Sequence, residues 1–261
     1  VNPSSTQQLG AWHLRHYPVL ESTNQHAKQL VMTTAFSRSQ FDHMVIMADQ
    51  QTAGRGQYQR SWQSPLGGLY MTAVMADIPT RLRGVLALLV GCAVAQALDQ
   101  LAAPSIQIRW PNDLTFLQRK VGGILCEGIA LGTDWITLIG IGINVNQPLE
   151  ALDGQLQTRA TTLRHIDGKV RNVTHVAGAI LQRLDELIDE TQRDPNMLRE
   201  YLQQRDALLG RKIVVQTPSQ TWAGTASGIA MDGALLLNGA QGVQAIHVGS
   251  VVEIEGLGRV K

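Results

Sequence analysis

The stretch Asp49-Gln-Gln-Thr-Ala-Gly54-Arg-Gly-Gln-Tyr-Gln-Arg60-Ser-Trp62-Gln-Ser-Pro65-Leu-Gly-Gly-Leu-Tyr70 sets the reading of the whole chain. Apolar runs lead into it (Val45 to Ala48) and out of it (Leu69 to Met75), so strands are predicted at 44–50 and 68–76 with a loop between. The loop combines Gly54, Gly56, Gly67 and Gly68 with Arg55, Arg60 and Trp62. Glycine lets backbone N–H groups approach a ligand, guanidinium grips carboxylate or phosphate, and Trp offers a face to a planar ring. Two readings fit these residues. One is a clamp over a small anion that carries a flat heterocycle; the other is a glycine-rich hairpin with two solvated arginines.

Composition narrows the class. The 261 residues suffice for one large domain, or a large one and a small one. An apolar share of 44% with 16% charged residues fits a packed core. Lys and Arg number 22 against 21 Asp and Glu, so no net field draws the chain to DNA or membrane. Cys92 and Cys126 lie far apart in apolar runs and read as two core thiols rather than a disulfide framework. The N-terminus lacks the basic-then-apolar layout of a signal peptide. The apolar, chargeless run Gly84 to Leu98 falls short of the roughly 20 residues a membrane span needs. The expectation is a soluble, cytoplasmic protein.

Along the chain, a strand at 12–17 precedes Glu21-Ser22-Thr23-Asn24, whose last three residues are good helix caps, with a helix from Gln25 to Met32. Either one of them caps and the others face water, or the helix start faces a polar ligand. Arg81 to Leu101 reads as one buried helix, and Ile106 to Leu114 as a strand that Pro111 interrupts. Lys120–Ala130 and Trp135–Asn146 read as antiparallel strands joined at Gly132-Thr133-Asp134. Residues 147–171 read mostly as loop, Asn172 to Glu190 as the clearest amphipathic helix, with a shorter one from Pro195 to about Leu209. From Gly210 short β-rich runs alternate with Pro218-Ser219, Asp232-Gly233 and Asn238-Gly239, the last two being hairpin signals, and suggest a small barrel. The expected division is 1–208 and 209–261.

Several familiar signatures fail on spacing. Gln59 and Val145 stand where Gly54-Arg-Gly56 and Gly140-Ile-Gly142 would need a third glycine for a dinucleotide fingerprint. GxxxxGK[ST], HExxH, CxxC and GxSxG are absent. What remains is a set of polar residues at strand ends: Asn112 and Asp113 after the proline break, Lys120 with Gly122 and Gly123 behind it, and Asn144. Each has a bland reading as a turn former or solvated strand end.

Taken together, six elements in order resemble the biotin–protein ligases. They are Ser22-Thr23-Asn24; Gln51-Thr-Ala-Gly-Arg-Gly56 with Arg60-Ser-Trp62-Gln-Ser-Pro65; Arg109-Trp-Pro-Asn-Asp113; Lys120-Val-Gly-Gly-Ile-Leu125; Gly140-Ile-Gly-Ile-Asn-Val-Asn146; and the β-rich run from Gly210 to Ile254. The resemblance implies an α/β (α+β) fold, a class II aminoacyl-tRNA-synthetase-like mixed sheet with helices, plus a C-terminal SH3-like barrel. It implies that biotin and MgATP give biotinyl-5′-AMP and pyrophosphate, and that a lysine of a biotin carboxyl carrier domain then takes the biotinyl group. By position, Ser22, Thr23, Asn24 and Gln51 would hold the biotin ureido ring, with Gly54 also counted among the biotin-binding residues. Arg55, Gly56, Gln57, Lys120 and Gly123 would hold its tail and the acyl phosphate. Arg60, Trp62, Asn112, Asp113 and Asn144 would lie near the nucleotide or its metal, with Arg55 and Lys120 offsetting charge in the reaction.

Two departures stand out. Gln57 replaces the second arginine of the family's GRGR loop, and Gln59 replaces a glycine. In addition, only about 20 residues precede Ser22, too few for a DNA-binding winged helix, so repressor activity is not expected. Competing readings are a lipoate–protein ligase or octanoyl transferase on a related fold, and a non-catalytic biotin-binding sensor. A monomer and a homodimer are both compatible with the resemblance.

Overall fold

Eight strands form one mixed sheet in the computed structural model, which describes residues 2–33, 41–76, 78–132 and 134–260. In chain order they are β1 (Ser5–Leu9), β2 (Trp12–Leu20), β3 (Met44–Gln51), β4 (Leu69–Ala76), β5 (Gln107–Arg109), β6 (Asp113–Phe116), β7 (Arg119–Leu131) and β8 (Asp134–Ile143). In space the order is β1-β2-β3-β4-β8-β7-β6-β5. Strands β2 and β3 are parallel and the other neighbours antiparallel.

Side chains alternate between the faces of a strand. Val45, Met47, Met71, Ala73, Ile139 and Ile141 enter a large core, while Met44, Ile46, Val74, Ile136 and Leu138 enter a second core on the opposite face. Because both faces are covered, β3 and β4 read as continuous apolar runs. Helices α2 (Thr80–Arg83), α3 (Leu86–Gln100), α6 (Val173–Arg193) and α7 (Asn196–Arg205) contribute to the large core. The apolar stripe of α6 runs from Val176 to Ile188, and Asn172 caps its start by accepting from the His175 N–H at 3.0 Å. The second core is completed by Ala27 and Val31 of α1 (Thr23–Thr33).

Strands β9 (Lys212–Gln216), β10 (Thr221–Ile229), β11 (Leu235–Gly239), β12 (Gly242–Ile246), β13 (Ser250–Ile254) and β14 (Gly258–Arg259) build the small antiparallel SH3-like barrel, in the order β12-β11-β10-β9-β13-β14. Its core residues Ile213, Val215, Leu235 and Ile246 belong to the same cluster as the large core, and the Trp110 indole N–H donates to the Gly233 carbonyl at 3.0 Å. The barrel therefore packs directly on the sheet. No helix among the described residues is long and apolar enough to cross a membrane.

Four expectations change, and one strand is added. Residues 106–114 are not one interrupted strand: β5 and β6 pair with each other, and the chain reverses through Trp110-Pro111, a cis peptide. The predicted helix from Arg81 breaks at Gly84-Val85, where Val85 leaves helical geometry. Residues 147–171 hold two short helices, α4 (Gly154–Arg159) and α5 (Leu163–Asp167), too short to show periodicity. Polar, largely exposed β1 pairs with β2 and escapes an apolar pattern search. Asn238 and Gly239 end β11, and the turn falls on Ala240-Gln241. Gly132 and Asp134 flank the β7–β8 turn as expected, while Thr133 lies outside the described residues.

Asp206 bears on stability. It bridges to Ile108, its Oδ1 accepts from the Leu208 N–H at 2.8 Å, and its Oδ2 is buried with no partner among the described residues. Burial raises its pKa, against the backbone donors of Leu208 and Leu209. A carboxyl whose folded pKa is raised favours the fold at low pH, and that stability is lost as pH rises through the folded pKa. Asp206→Asn, which keeps the Leu208 cap, is therefore expected to melt higher than wild type at pH 7 to 8. The gap should close as pH falls below the ordinary carboxylate range; thermal melts across that span check it.

Candidate functional site

Period-two alternation along β8 opens a cavity. In Ile139-Gly140-Ile141-Gly142-Ile143 the isoleucines pack in the large core, and the glycines leave the opposite face bare. Gly140 pairs with Thr72 on one side and Leu125 on the other, and Gly142 with Tyr70 and Gly123. The resulting cavity, about 560 Å³, is bounded by β4, β7, β8, the start of α1, the glycine-arginine loop and the barrel.

Over Gly140 lies a neutral polar cluster. Ser22, Thr23 and Asn24 are all buried at the start of α1. Ser22 takes the capping role, its Oγ accepting from the Gln25 N–H at 3.4 Å. Thr23 donates its N–H to Gln51 Oε1 at 2.8 Å, and Gln51 Nε2 donates to Ser64 Oγ at 2.8 Å. The Asn24 side chain would stand only 2.4 Å from a Cβ at Gly140.

Two residues along β8, a step of roughly 7 Å, the Trp62 ring sits against Gly142, where a Cβ would come within 2.8 Å. The loop is pinned by bridges Gln51–Ser64 and Arg55–Ser61, and the Trp62 N–H donates to the Gly54 carbonyl at 2.8 Å. A side chain at Gly54 would strike that strand crossing at 2.5 Å, so Gly54 serves packing and does not line the cavity. Arg55 donates to Gln59 Oε1 at 2.7 Å, and Arg60 reaches Ser250 Oγ of the barrel at 3.3 Å. Gln57 has its Oε1 buried without a partner among the described residues.

Next to Trp62 is a charged group. Lys120 Nζ lies 5.2 Å from the Trp62 ring centroid and 2.5 Å from Asp113 Oδ1, while Arg109 Nη2 donates to Asp113 Oδ2 at 2.9 Å. Asp113 is thus engaged by two cations. Asn112 donates to the Ile124 carbonyl at 2.6 Å, and Asn144 donates to the Thr161 carbonyl while accepting from Gln147 Nε2. Both asparagines line the cavity, yet these bonds also staple the chain around it. Seven of the 22 cations line the cavity, with Asp113 the single carboxylate among the lining residues.

Of the residues singled out from sequence, all but Gly54 line this one cavity. Thr72, Arg119, Arg159, Arg259 and the barrel's contribution were missed. Thr72 sits inside an apolar strand run, and the others carry no local motif; Thr72, though not itself a lining residue, donates to Asn24 Oδ1 at 2.5 Å.

Residues 17–146 match the Biotin/lipoate A/B protein ligase family, and residues 208–252 match the Biotin protein ligase C terminal domain. The chain is 32% identical over 247 residues to a bifunctional ligase/repressor BirA of Bacillus subtilis, covering 93% of this chain and 74% of that one. It is 28% identical to a biotin–[acetyl-CoA-carboxylase] ligase of Mycobacterium tuberculosis, covering 86% and 84%. Among solved structures it is similar to the biotin protein ligase of Aquifex aeolicus in complex with biotin and ATP, with a TM-score of 0.77, 27% identity, and coverage of 91% and 97%.

The glycine face of β8 is testable without any ligand. Gly142→Ala drives a methyl into the Trp62 ring and should cost about 1–3 kcal/mol in urea unfolding, as overpacking does. Gly178→Ala, inside α6 where the nearest atom to a new methyl is 3.9 Å away, should instead gain about 0.5–1 kcal/mol.

Proposed function

The chain belongs to the biotin–protein ligase family and is an enzyme of biotin ligation, and on that premise we propose that it works through a biotinyl-5′-adenylate made from biotin and MgATP. The observation that carries this reading is the sorting of one cavity along β8: neutral donors and acceptors over Gly140, an aromatic ring over Gly142, and cations beyond. A volume of about 560 Å³ falls in the range of small-molecule and cofactor sites.

Thr23, Asn24 and Gln51, with Ser22 beside them, receive the ureido ring of biotin. The tail runs past Gly56, Gln57 and Gly123 toward Lys120 and Arg55, and Trp62 lies along the adenine side with Arg60, Asn112, Asp113 and Asn144 near the nucleotide. In the first step a biotin carboxylate oxygen attacks the α-phosphorus, the phosphorus–oxygen bond to the leaving group breaks, and pyrophosphate departs. Two anions must meet for this to happen. Lys120 and Arg55 lower their repulsion and stabilise the added charge on the phosphorus oxygens. Asp113, held by Arg109, fixes the Lys120 ammonium in place. Magnesium arrives on the triphosphate as part of the substrate, where it keeps most of its waters and needs few protein donors.

In the second step a lysine amine of a biotin carboxyl carrier domain attacks the acyl carbon, an amide forms, and AMP leaves with the bond electrons as the amine loses its proton. A carboxylase carrier domain is the partner that suits the relatives named as acetyl-CoA-carboxylase ligases.

Pyrophosphate release that requires biotin and ATP together is the deciding measurement. Lys120→Ala should slow it by about 10²–10³-fold, the scale for losing one charge-stabilising donor. Biotin binding with no release under any condition would favour a non-catalytic sensor.

Gln57 generates a separate expectation. A neutral amide cannot make the charge-assisted bond that an arginine would, so the adenylate should escape more readily than from Gln57→Arg. Quenched-flow release of labelled adenylate compares the two, and equal rates would sink the idea.

A further inference from the structure

We propose that Glu127 and Thr72 are positioning residues that lock the Asn24 amide with its oxygen available to the ligand, and so make the site select a ring N–H. This inference rests on the ligase reading above for the identity of the ligand, but on hydrogen-bond geometry for the lock itself.

Asn24 is engaged from both ends. Its Nδ2 donates to Glu127 Oε2 at 2.7 Å and to the Leu125 carbonyl at 3.4 Å, and its Oδ1 accepts from the Thr72 hydroxyl at 2.5 Å. An Asn side chain has two N–H donors and two acceptor sites on oxygen. Both donors are used, and one acceptor site on Oδ1 is left. That oxygen lies over Gly140, in the wall of the cavity.

A carboxylate only accepts, so Glu127 cannot face Asn24 Oδ1. Flipping Asn24 would set two acceptors against each other and turn N–H toward Thr72. Thr72 closes the other side. It is fully buried on β4, has one proton, and its shorter contact gives that proton to Asn24. Thr72 Oγ1 also lies 2.9 Å from Thr23 Oγ1, and the Thr23 hydroxyl donates to Gln51 Oε1 at 3.2 Å. The Thr23 N–H in turn goes to Gln51 Oε1, which turns Gln51 Nε2 to Ser64 Oγ and leaves it a second N–H. Glu127 thereby sets the Asn24 amide, while the Thr23 N–H and hydroxyl set the Gln51 amide. Asn24 contributes an acceptor and Gln51 retains a donor, which matches the adjacent N–H and C=O of a cyclic urea.

The strands explain why these residues meet. Thr72 pairs with Gly140 from β4, Leu125 pairs with Gly140 from β7, and Glu127 follows two positions on, on the same face. Gly140 leaves the gap that Asn24 fills from α1.

The test measures biotin binding by calorimetry and biotin-dependent pyrophosphate exchange in the full chain, for wild type, Thr72→Val, Thr72→Ser and Glu127→Gln. Thr72→Val and Glu127→Gln should weaken biotin binding and raise its KM about tenfold or more, the effect of unsettling a buried hydrogen bond. The kcat at saturating biotin and the KM for ATP should stay near wild type, and Thr72→Ser should bind like wild type. Glu127→Gln should also narrow the discrimination against an analogue with oxygen in place of a ring N–H, because a Gln amide lets Asn24 turn over. Unchanged biotin affinity in folded Thr72→Val and Glu127→Gln overturns the lock, as does an equal loss in Thr72→Ser. Should Thr72→Val not fold, Glu127→Gln decides alone. Wild type that binds biotin yet releases no pyrophosphate overturns the ligase reading, and the calorimetry still judges the lock.

Discussion

Everything in the site depends on β8 being able to show isoleucine to one face and nothing to the other. Ile139, Ile141 and Ile143 fasten the strand to the large core, so the backbone at Gly140 and Gly142 is held in place by burial on its far side. A cavity floor made of backbone is rigid for that reason, and it costs the core nothing. The glycines are required by space rather than by dihedral angle: a methyl on Gly140 would overlap Asn24, and one on Gly142 would overlap Trp62. The same strand thus anchors the fold and registers the polar cluster about two residues from the aromatic one.

Charge is distributed to suit that floor. With a net charge of +1 the chain as a whole does not attract anions, yet seven cations converge on one cavity. Like charges brought together repel, and Asp113 is what relieves two of them. Its buried carboxylate lies between Arg109 and Lys120 and receives a hydrogen bond or ion pair on each oxygen. A buried carboxylate so engaged orients Lys120 more than it stabilises the fold, since desolvation offsets much of such a pair's attraction. Its place in the sequence follows: Pro111 turns the chain so that β6 begins at Asp113, opposite Gly123 of β7.

Much of this was legible from residues alone, and for identifiable reasons. The loop and its flanking strands showed themselves because two apolar runs bracket a glycine-rich stretch that also holds Arg55, Arg60 and Trp62. The α6 stripe showed itself because 21 residues give the 3.6 period room to repeat. Thr72 did not, because a single hydroxyl within Leu69 to Met75 looks like a tolerated polar residue until β4 is paired with β8. Glu127 was hidden likewise: its role exists only across strands and against a helix about a hundred residues earlier. Asn144 was legible as a site position, yet its bonds to Thr161 and Gln147 show it also ties down the following segment. The short helices α4 and α5 carry too few residues for any period to register.

The loop itself is where sequence and conformation disagree most. Tyr58 and Gln59 have φ of 56° and 61°, in the left-handed region that favours glycine. For residues with a Cβ that backbone costs roughly 1–2 kcal/mol apiece, so neighbouring contacts must hold it. They are visible: the Gly56 N–H donates to the Arg60 carbonyl at 2.8 Å, Arg60 lies 5.7 Å from the Tyr58 ring, and Gln59 accepts from Arg55. The last of these has a consequence that a glycine would lack. The residue that strains the loop also gives Arg55 a neutral partner, and a neutral amide is a weaker partner than an anion. Arg55 is therefore held where it is oriented but readily exchanged, which is the condition a cation needs if it is to meet a carboxylate or phosphate oxygen.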